Sequence, residues 1–167
     1  MFGNVPLSTD FTDTETKPNS TRSEVYNFVK SELDAVIPLL SDKKDATTYG
    51  RINKWAALAI RMQLQLNAEV YTGTAQWAAA KADADAIINS GLYSLEAVYS
   101  DNFKEQNEGS SENIFVVPYD EVFASGFNWV AMTLHYASQN TFNLTFQPWN
   151  GYATVEEFYN SYVDPST

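Results

Sequence analysis

Apolar residues near the start of the chain recur at three- and four-residue steps, a spacing that predicts an amphipathic helix over 23–40. Its apolar face consists of Val25, Phe28, Val29, Leu33, Val36, Ile37 and Leu40. Just before it, Thr21 and Glu24 have the T-x-x-E spacing of a capping box, in which each side chain satisfies a backbone N–H at the helix start. Pro38 marks either the last turn of this helix or a kink in it.

Residues 53–89 predict two further helices joined by a short turn. Over 53–71 apolar and polar residues alternate from Ile60 to Asn67, which is typical of a strand, but the run is long and built from strong helix formers. Thr72 and Gly73 break it, and Thr74 can cap a third helix over 75–89. We expect a polar stripe on the second helix and, on the third, an inner and an outer face. The polar stripe of the second helix consists of Lys54, Arg61, Gln65 and Glu69. The inner face of the third helix consists of Trp77, Ala80, Ala84, Ile87 and Ile88, and its outer face carries Lys81, Asp83 and Asp85.

The helix pair over 53–89 has about the length of a tetratricopeptide unit, roughly 34 residues. Such units need neighbours to bury their faces, and the first helix supplies one. The pattern therefore predicts a mainly α fold with tetratricopeptide-like helical repeats, an α-α superhelix, over 20–90. The remainder, 91–167, is predicted to be a mostly irregular excursion that faces a ligand, within one partial domain over 1–167.

Within that excursion, two short elements are predicted. The run from Asn113 to Tyr119 is rich in β-branched residues and ends near Pro118, which predicts a short strand. Thr154 and Glu157 again have capping-box spacing, so a last short helix is expected over 154–162. Residues 120–153 are rich in Asn, Gly, Thr and aromatic residues and predict irregular structure.

Charge and composition exclude several kinds of function. The chain carries a formal charge of -11 with only ten Lys and Arg residues, so neutralisation of nucleic-acid phosphates is not expected. It has no cysteine and a single histidine, His135, which excludes thiolate zinc sites and leaves a histidine base without partners. Neighbouring carboxylates, such as Asp83 with Asp85 and Glu156 with Glu157, are interpreted as solvated surface. No enzyme activity, cofactor or metal is predicted.

The aromatic residues divide into two groups by their surroundings. Trp55 and Trp77 lie on apolar helix faces, where core packing is expected. The loop-borne aromatics lie beside amides such as Asn128 and Gln147, and binding residues concentrate on loops over rigid scaffolds. Sugars present C–H faces that stack on such rings and hydroxyls that bond to amides. The candidate ligand-binding residues are therefore Trp149, Asn150, Trp129 and Tyr152, with Tyr136 a weaker candidate.

The order of short motifs resembles the SusD/RagB family. No single string is specific, but the similar strings follow the family's order across nearly the whole chain. They are FGNVPL at 2–7, TRSEVYNFV at 21–29, GRINKWAA at 50–57, IINSGLY at 87–93, SENIF at 111–115, and WNGY at 149–152 followed by FY at 158–159 and by Asp164.

This resemblance implies non-catalytic capture of glycans or other nutrients at the surface of a Bacteroidetes-type bacterium. It implies a polysaccharide-utilisation role, with delivery to a SusC-like TonB-dependent transporter at the extracellular face of the outer membrane. The family's lipidated cysteine, N-terminal helices and C-terminal half are missing from this chain. We therefore expect a middle section of a lipoprotein, which meets the membrane only through a lipid anchor outside this chain.

Two rival hypotheses differ in class from glycan capture. In the first, the helical repeats form a protein–protein interaction module without a ligand site of its own, since repeat arrays commonly present concave binding surfaces. In the second, the protein is a glycoside hydrolase, which requires two convergent carboxylates roughly 5–10 Å apart. The sequence favours glycan capture over both.

Overall fold

The computed structural model describes residues 3–120, 122–124, 126 and 129–161, apart from the side chain of Val130. The chain divides into two compact units, a first unit that ends at Val117 and a second unit that begins at Pro118. The fold is mainly α, as predicted. The expectation of one domain over 1–167, with helical repeats up to residue 90, stays a prediction.

Helices account for most of the regular structure in both units. The first unit contains α1 (Arg22–Val36), α2 (Lys54–Leu66), α3 (Ala68–Thr72) and α4 (Trp77–Asn89), with 3-10 turns at Ile37–Leu39 and Tyr99–Phe103. The second unit contains the short helices α5 (Trp129–Thr133), α6 (Ser138–Thr141) and α7 (Glu156–Asn160). Among the helices in the described part of the chain, none is both long and apolar enough to cross a bilayer.

Helix α1 begins with the predicted capping box. The backbone N–H of Glu24 donates to Thr21 Oγ1 at 3.3 Å, and the N–H of Thr21 donates to Glu24 Oε2 at 2.7 Å. Two of the donors that a helix start leaves unpaired are thereby satisfied. Pro38 lies in the 3-10 turn Ile37–Leu39 that follows α1, where a missing N–H costs no helical hydrogen bond.

The second predicted helix is confirmed, but the prediction that it runs without a break over 53–71 is wrong. α2 ends at Leu66, and α3 begins at Ala68 after a break at Asn67, whose φ is -96° and ψ is 9°. The side-chain amide of Asn67 donates to the Gln63 carbonyl oxygen at 3.0 Å. Asn competes in this way with the regular backbone bonds of a helix, which explains the break.

The main helices of the first unit pack antiparallel. Arg61 in the middle of α2 reaches Asp83 in the middle of α4, while Leu58 near the start of α2 packs against Ile87 near the end of α4. One core cluster consists of Ile37, Ala57, Leu58 and Ile87, and a second consists of Tyr26, Leu64 and Ala68. Because Ile37 follows α1 and Tyr26 lies near its start, α1 also runs antiparallel to α2. The assignment of this arrangement to a tetratricopeptide repeat stays a prediction.

The predicted helix faces are partly wrong. Trp77 and Ile88 were placed inside but are 60% and 70% exposed, whereas Asp83 was placed outside and is 5% exposed. Of the residues expected on the polar stripe of the second helix, Gln65 is buried and the Arg61 side chain is 20% exposed. Arg61 and Asp83 bond to each other across the two helices, so polar positions of α2 and α4 face one another. Trp55 does pack against the first core cluster, as predicted.

The predicted strand over 113–119 is not formed. In the described part of the chain, the β-structure consists of isolated bridges between Val5 and Ser20 and between Asp120 and Ala124. A strand needs a hydrogen-bonding partner, and Pro118 has no N–H to contribute to a ladder. Ile114 instead packs against the first core cluster, whereas Phe115 and Val117 of the same apolar run are exposed.

Two of the predicted caps are also wrong. α4 begins at Trp77 after Gln76, without a side-chain cap from Thr74. The last helix exists, but α7 begins at Glu156 after Val155, and the Thr154 hydroxyl donates to the Val155 carbonyl oxygen at 3.4 Å. Tyr162, at the end of the predicted span, lies outside the described residues.

Candidate functional site

Backbone hydrogen bonds fix the segment 148–152 against α5 and the residue that follows it. Four consecutive N–H groups donate to carbonyl oxygens there. The pairs are Trp149 to Ala131 at 2.7 Å, Asn150 to Leu134 at 3.1 Å, Gly151 to Met132 at 2.6 Å and Tyr152 to Met132 at 2.9 Å. Pro148 and Ala131 are fully buried beneath this contact, so the segment is held by both main-chain bonds and packing.

This contact brings two of the predicted site residues together. The rings of Trp129 and Tyr152 stack with their centroids 5.7 Å apart and their planes at 25°. Such offset stacking is a favoured geometry for aromatic pairs. The two side chains remain 64% and 51% exposed, so the stacked pair lies at the surface of the second unit.

The other two predicted residues lie on the same fixed segment. Trp149 is 48% exposed, and Asn150 is exposed with a positive φ of 49°. Asn tolerates this left-handed conformation better than most residues, which lets the chain turn between the two aromatic side chains. We call Trp129, Trp149, Asn150 and Tyr152 the aromatic platform. Its chemistry is that of ring faces beside a side-chain amide.

The four platform residues are those that the sequence suggested, and their role in binding stays a prediction, whereas the contact that assembles them was not predicted. Trp129 and Tyr152 are far apart in sequence, and the bonds that join their segments come from main-chain groups, which leave no signal in residue type. The weaker candidate Tyr136 packs instead against His135, with ring centroids 5.5 Å apart. His135 Nδ1 accepts the Ala137 N–H at 3.2 Å, a structural role. Asn128 lies outside the described residues.

The carboxylates weighed as candidates for acid–base chemistry have other partners. Asp83 accepts two hydrogen bonds from Arg61, at 2.8 and 2.6 Å, and this carboxylate is the main reason that the pKa of the Arg61 guanidinium is raised. Asp85 pairs with Lys81 at 2.6 Å. Glu156 and Glu157 lie in the first turn of α7, where acidic side chains are stabilised by the helix dipole. The described residues contain no group of three or more His, Asp or Glu side chains placed to hold a metal ion.

A polar recess in the first unit was not predicted. Its walls include Lys44, Asp45, Tyr49, Glu108 and Ser110, and a small pocket of about 60 Å³ adjoins a wider recess of about 450 Å³ that shares these residues. Three of the polar side chains that line it, those of Lys44, Asp45 and Ser110, already make hydrogen bonds within the chain.

Lys44 is the clearest example. Its Nζ donates to the carbonyl oxygens of Ser111 at 3.0 Å and Leu92 at 3.4 Å, and it lies 4.3 Å from the centre of the Tyr93 ring. Burial lowers the pKa of this ammonium group. The recess therefore surrounds a contact that joins the loop before α2 to the loops after α4.

The chain is similar to part of a starch-binding protein. No protein-family model matches this chain. The starch-binding protein SusD of Bacteroides thetaiotaomicron is 29% identical over 119 residues, which cover 70% of this chain and 21% of SusD. The chain thus spans about a fifth of the length of this curated relative.

Solved structures share the fold. A SusD superfamily protein from Bacteroides vulgatus has a TM-score of 0.60 at 24% identity, over 75% of this chain and 29% of its own. A SusD-like protein from Bacteroides fragilis has a TM-score of 0.59 at 23% identity, over 72% of this chain and 24% of its own. Surface glycan-binding protein A from Bacteroides uniformis has a TM-score of 0.56 at 23% identity, over 68% of this chain and 26% of its own. Over the region that it shares with these proteins, the chain is similar in sequence to SusD and shares the fold of SusD-like proteins, in agreement with the SusD/RagB resemblance of its ordered motifs.

Proposed function

We propose that this chain is part of a protein that captures glycans without cleaving them, and that the aromatic platform contacts the sugar. The observation that supports this most directly is the exposed stack of Trp129 on Tyr152, beside Trp149 and Asn150 on a segment fixed by main-chain bonds. Two of the similar proteins are named for binding starch and surface glycans, which favours this role over a protein–protein interaction module.

The platform suits sugars because its groups match both sides of their chemistry. The C–H face of a sugar ring packs on an aromatic face, and exposed rings at a surface leave room for an extended polymer. The Asn150 amide both donates and accepts, as sugar hydroxyls do. Each well-made hydrogen bond contributes about 1 kcal/mol net. A fixed segment loses little conformational entropy on binding, which favours affinity.

The wider setting also belongs to this proposal. The full-length protein is proposed to lie at the extracellular face of a bacterial outer membrane, held by a lipid anchor outside this chain. It delivers oligosaccharides or other nutrients to a SusC-like TonB-dependent transporter. No cofactor takes part. Tagged full-length protein should copurify with such a transporter from outer membranes. Recovery of the protein without a TonB-dependent transporter would contradict the delivery step.

Affinity electrophoresis tests the platform directly. The chain is run through native gels that contain starch or other polysaccharides, and its retardation gives the dissociation constant. Replacing Trp129 or Trp149 by Ala should weaken binding about tenfold each, since one lost aromatic contact is worth about 1.4 kcal/mol. Phe142→Ala is the matched control, because Phe142 is a 60% exposed aromatic of the same unit outside the fixed segments.

The expected pattern is selective loss. Far-UV circular dichroism should show that all three variants keep their helix content. Equal retardation of the wild-type chain and both tryptophan variants would remove the platform from the binding site. An equal loss in Phe142→Ala would show that the effect is a general one of aromatic surface.

A further inference from the structure

Positive charge is distributed unevenly between the two units. All ten Lys and Arg residues precede Pro118, so the unit that carries the aromatic platform contains none. The same part of the sequence contains five carboxylates, Asp120, Glu121, Glu156, Glu157 and Asp164. Its one histidine, His135, accepts the Ala137 N–H through Nδ1.

This distribution matters because glycans differ chiefly in charge. Uronate and sulfate groups are recognised by Lys and Arg, whose charge-assisted hydrogen bonds offset the loss of water from the anion. An anion that loses water without such a partner binds poorly. Neutral sugars need only ring faces and neutral polar groups, which are the groups that Trp129, Tyr152 and Asn150 present.

We infer that the aromatic platform is selective for neutral glycans and discriminates against those that carry uronate or sulfate groups. This inference rests on the proposed function, because it concerns the same site. Like charge acts at a distance, so the carboxylates of the second unit add a repulsive field to the lack of Lys and Arg within that unit. The difference in affinity between neutral and charged glycans should therefore have two parts. Salt screens the repulsion by distant carboxylates, but it does not replace the cation that a bound anion needs.

The test uses pairs of glycans that differ only in charge. Starch and C6-oxidised starch, in which glucose units become glucuronate units, form the first pair, and xylan, galactan and mannan with charged derivatives extend the panel. At about 20 mM salt the neutral member of a bound pair should bind about tenfold more tightly. At about 0.5 M salt, where the Debye length falls to roughly 4 Å, the difference should narrow without disappearing.

A charge added beside the platform sharpens the test. Gln147 is exposed and lies two residues before Trp149, so Gln147→Lys should raise the affinity for the oxidised glycan several-fold. Asn140→Lys adds the same charge at an exposed position of α6 outside the fixed segments and serves as control. A gain no larger in Gln147→Lys than in Asn140→Lys would contradict the role of the platform in the discrimination.

The outcomes separate this inference from the proposed function. Tighter binding of the neutral member, lost in Trp149→Ala, supports both. Equal or tighter binding of the oxidised member, also lost in Trp149→Ala, overturns the charge selectivity and leaves glycan capture standing. Binding of no glycan in the panel, or binding that Trp129→Ala and Trp149→Ala both leave unchanged, overturns the proposed platform and the selectivity with it.

Discussion

Arg61 offers the sharpest test of what holds the first unit together, because it joins three helices. From α2 it donates two hydrogen bonds to Asp83 of α4, and its Nη1 donates to Asp34 Oδ1 of α1 at 2.9 Å. Asp83 is 5% exposed, and the Arg61 side chain is 20% exposed. Replacing Arg61 by Met keeps most of the apolar stem and removes the charge.

The magnitude follows from what the substitution leaves behind. Asp83 would remain buried without its cation, and breaking a buried pair in this way costs about 3–5 kcal/mol. Asp34 contributes little, since its side chain is 41% exposed and surface pairs are worth at most about 1 kcal/mol. We expect Arg61→Met to lower the free energy of unfolding by about 3 kcal/mol. With a urea slope of about 1–3 kcal/mol per molar, the midpoint should fall by roughly 1–3 M.

Urea denaturation followed by circular dichroism at 222 nm measures the effect. The control is Lys81→Met, which removes an exposed i,i+4 pair with Asp85 on the same α4 and should cost about 0.3–0.5 kcal/mol. The double variant Arg61→Met with Asp83→Leu should recover at least half of the loss, because it removes the stranded carboxylate. A loss in Arg61→Met as small as that of the control, or a double variant no more stable than the single one, would refute this reasoning.

Two further predictions concern the platform and a loop of the first unit. Gly151→Pro should disorder the platform and reduce the near-UV circular dichroism of its rings. The substitution removes the hydrogen bond from the Gly151 N–H to Met132, and it disfavours the left-handed conformation of Asn150. An unchanged near-UV spectrum would contradict this prediction. The Ser111 N–H, and to a smaller extent the Ser111 hydroxyl, holds the pKa of the Glu96 carboxyl below its ordinary value. The ionised Glu96 therefore stabilises the fold above about pH 4.5, and this stabilisation is lost as the pH falls through the lowered pKa. Urea titrations at several pH values should therefore show less acid sensitivity in Glu96→Gln than in the wild-type chain.

The features that sequence reasoning predicted correctly depend on neighbouring residues. The capping box of α1 needs only Thr21 and Glu24, three residues apart, and the structure confirms it. The break at Asn67 was missed because Asn within a helical run is compatible with helix. Its effect depends on a particular side-chain bond to Gln63, which residue type does not reveal.

The orientation of α4 shows a second reason for error. Its sequence is rich in alanine, so the contrast between apolar and polar faces is weak. The buried face of α4 includes Asp83, which pairs with Arg61, a residue 22 positions earlier in the chain. A pattern read along one helix cannot contain this partner, and Trp77 was consequently placed inside rather than at the surface.

The same limit applies to the platform. Loop aromatics beside amides indicated which residues to choose, and Trp129, Trp149, Asn150 and Tyr152 all lie on the two joined segments. Their arrangement depends on hydrogen bonds between main-chain atoms of distant segments. Residue types therefore suggested the candidate residues, whose role in binding stays a prediction, and the fold was needed to show that two of their rings stack.

Because the bonds that align segment 148–152 with α5 come from the peptide backbone, exchanging the side chains at 129, 149 or 152 need not move the segments that bear them. A Cβ at Gly151 would lie 2.4 Å from Met132 Cε, so a side chain there would require the flexible end of Met132 to move. The platform thus separates the part that sets its shape from the part that sets its preference. Under the proposed function, exchanging one of these rings would change which sugars bind while the backbone of the two segments stays in place.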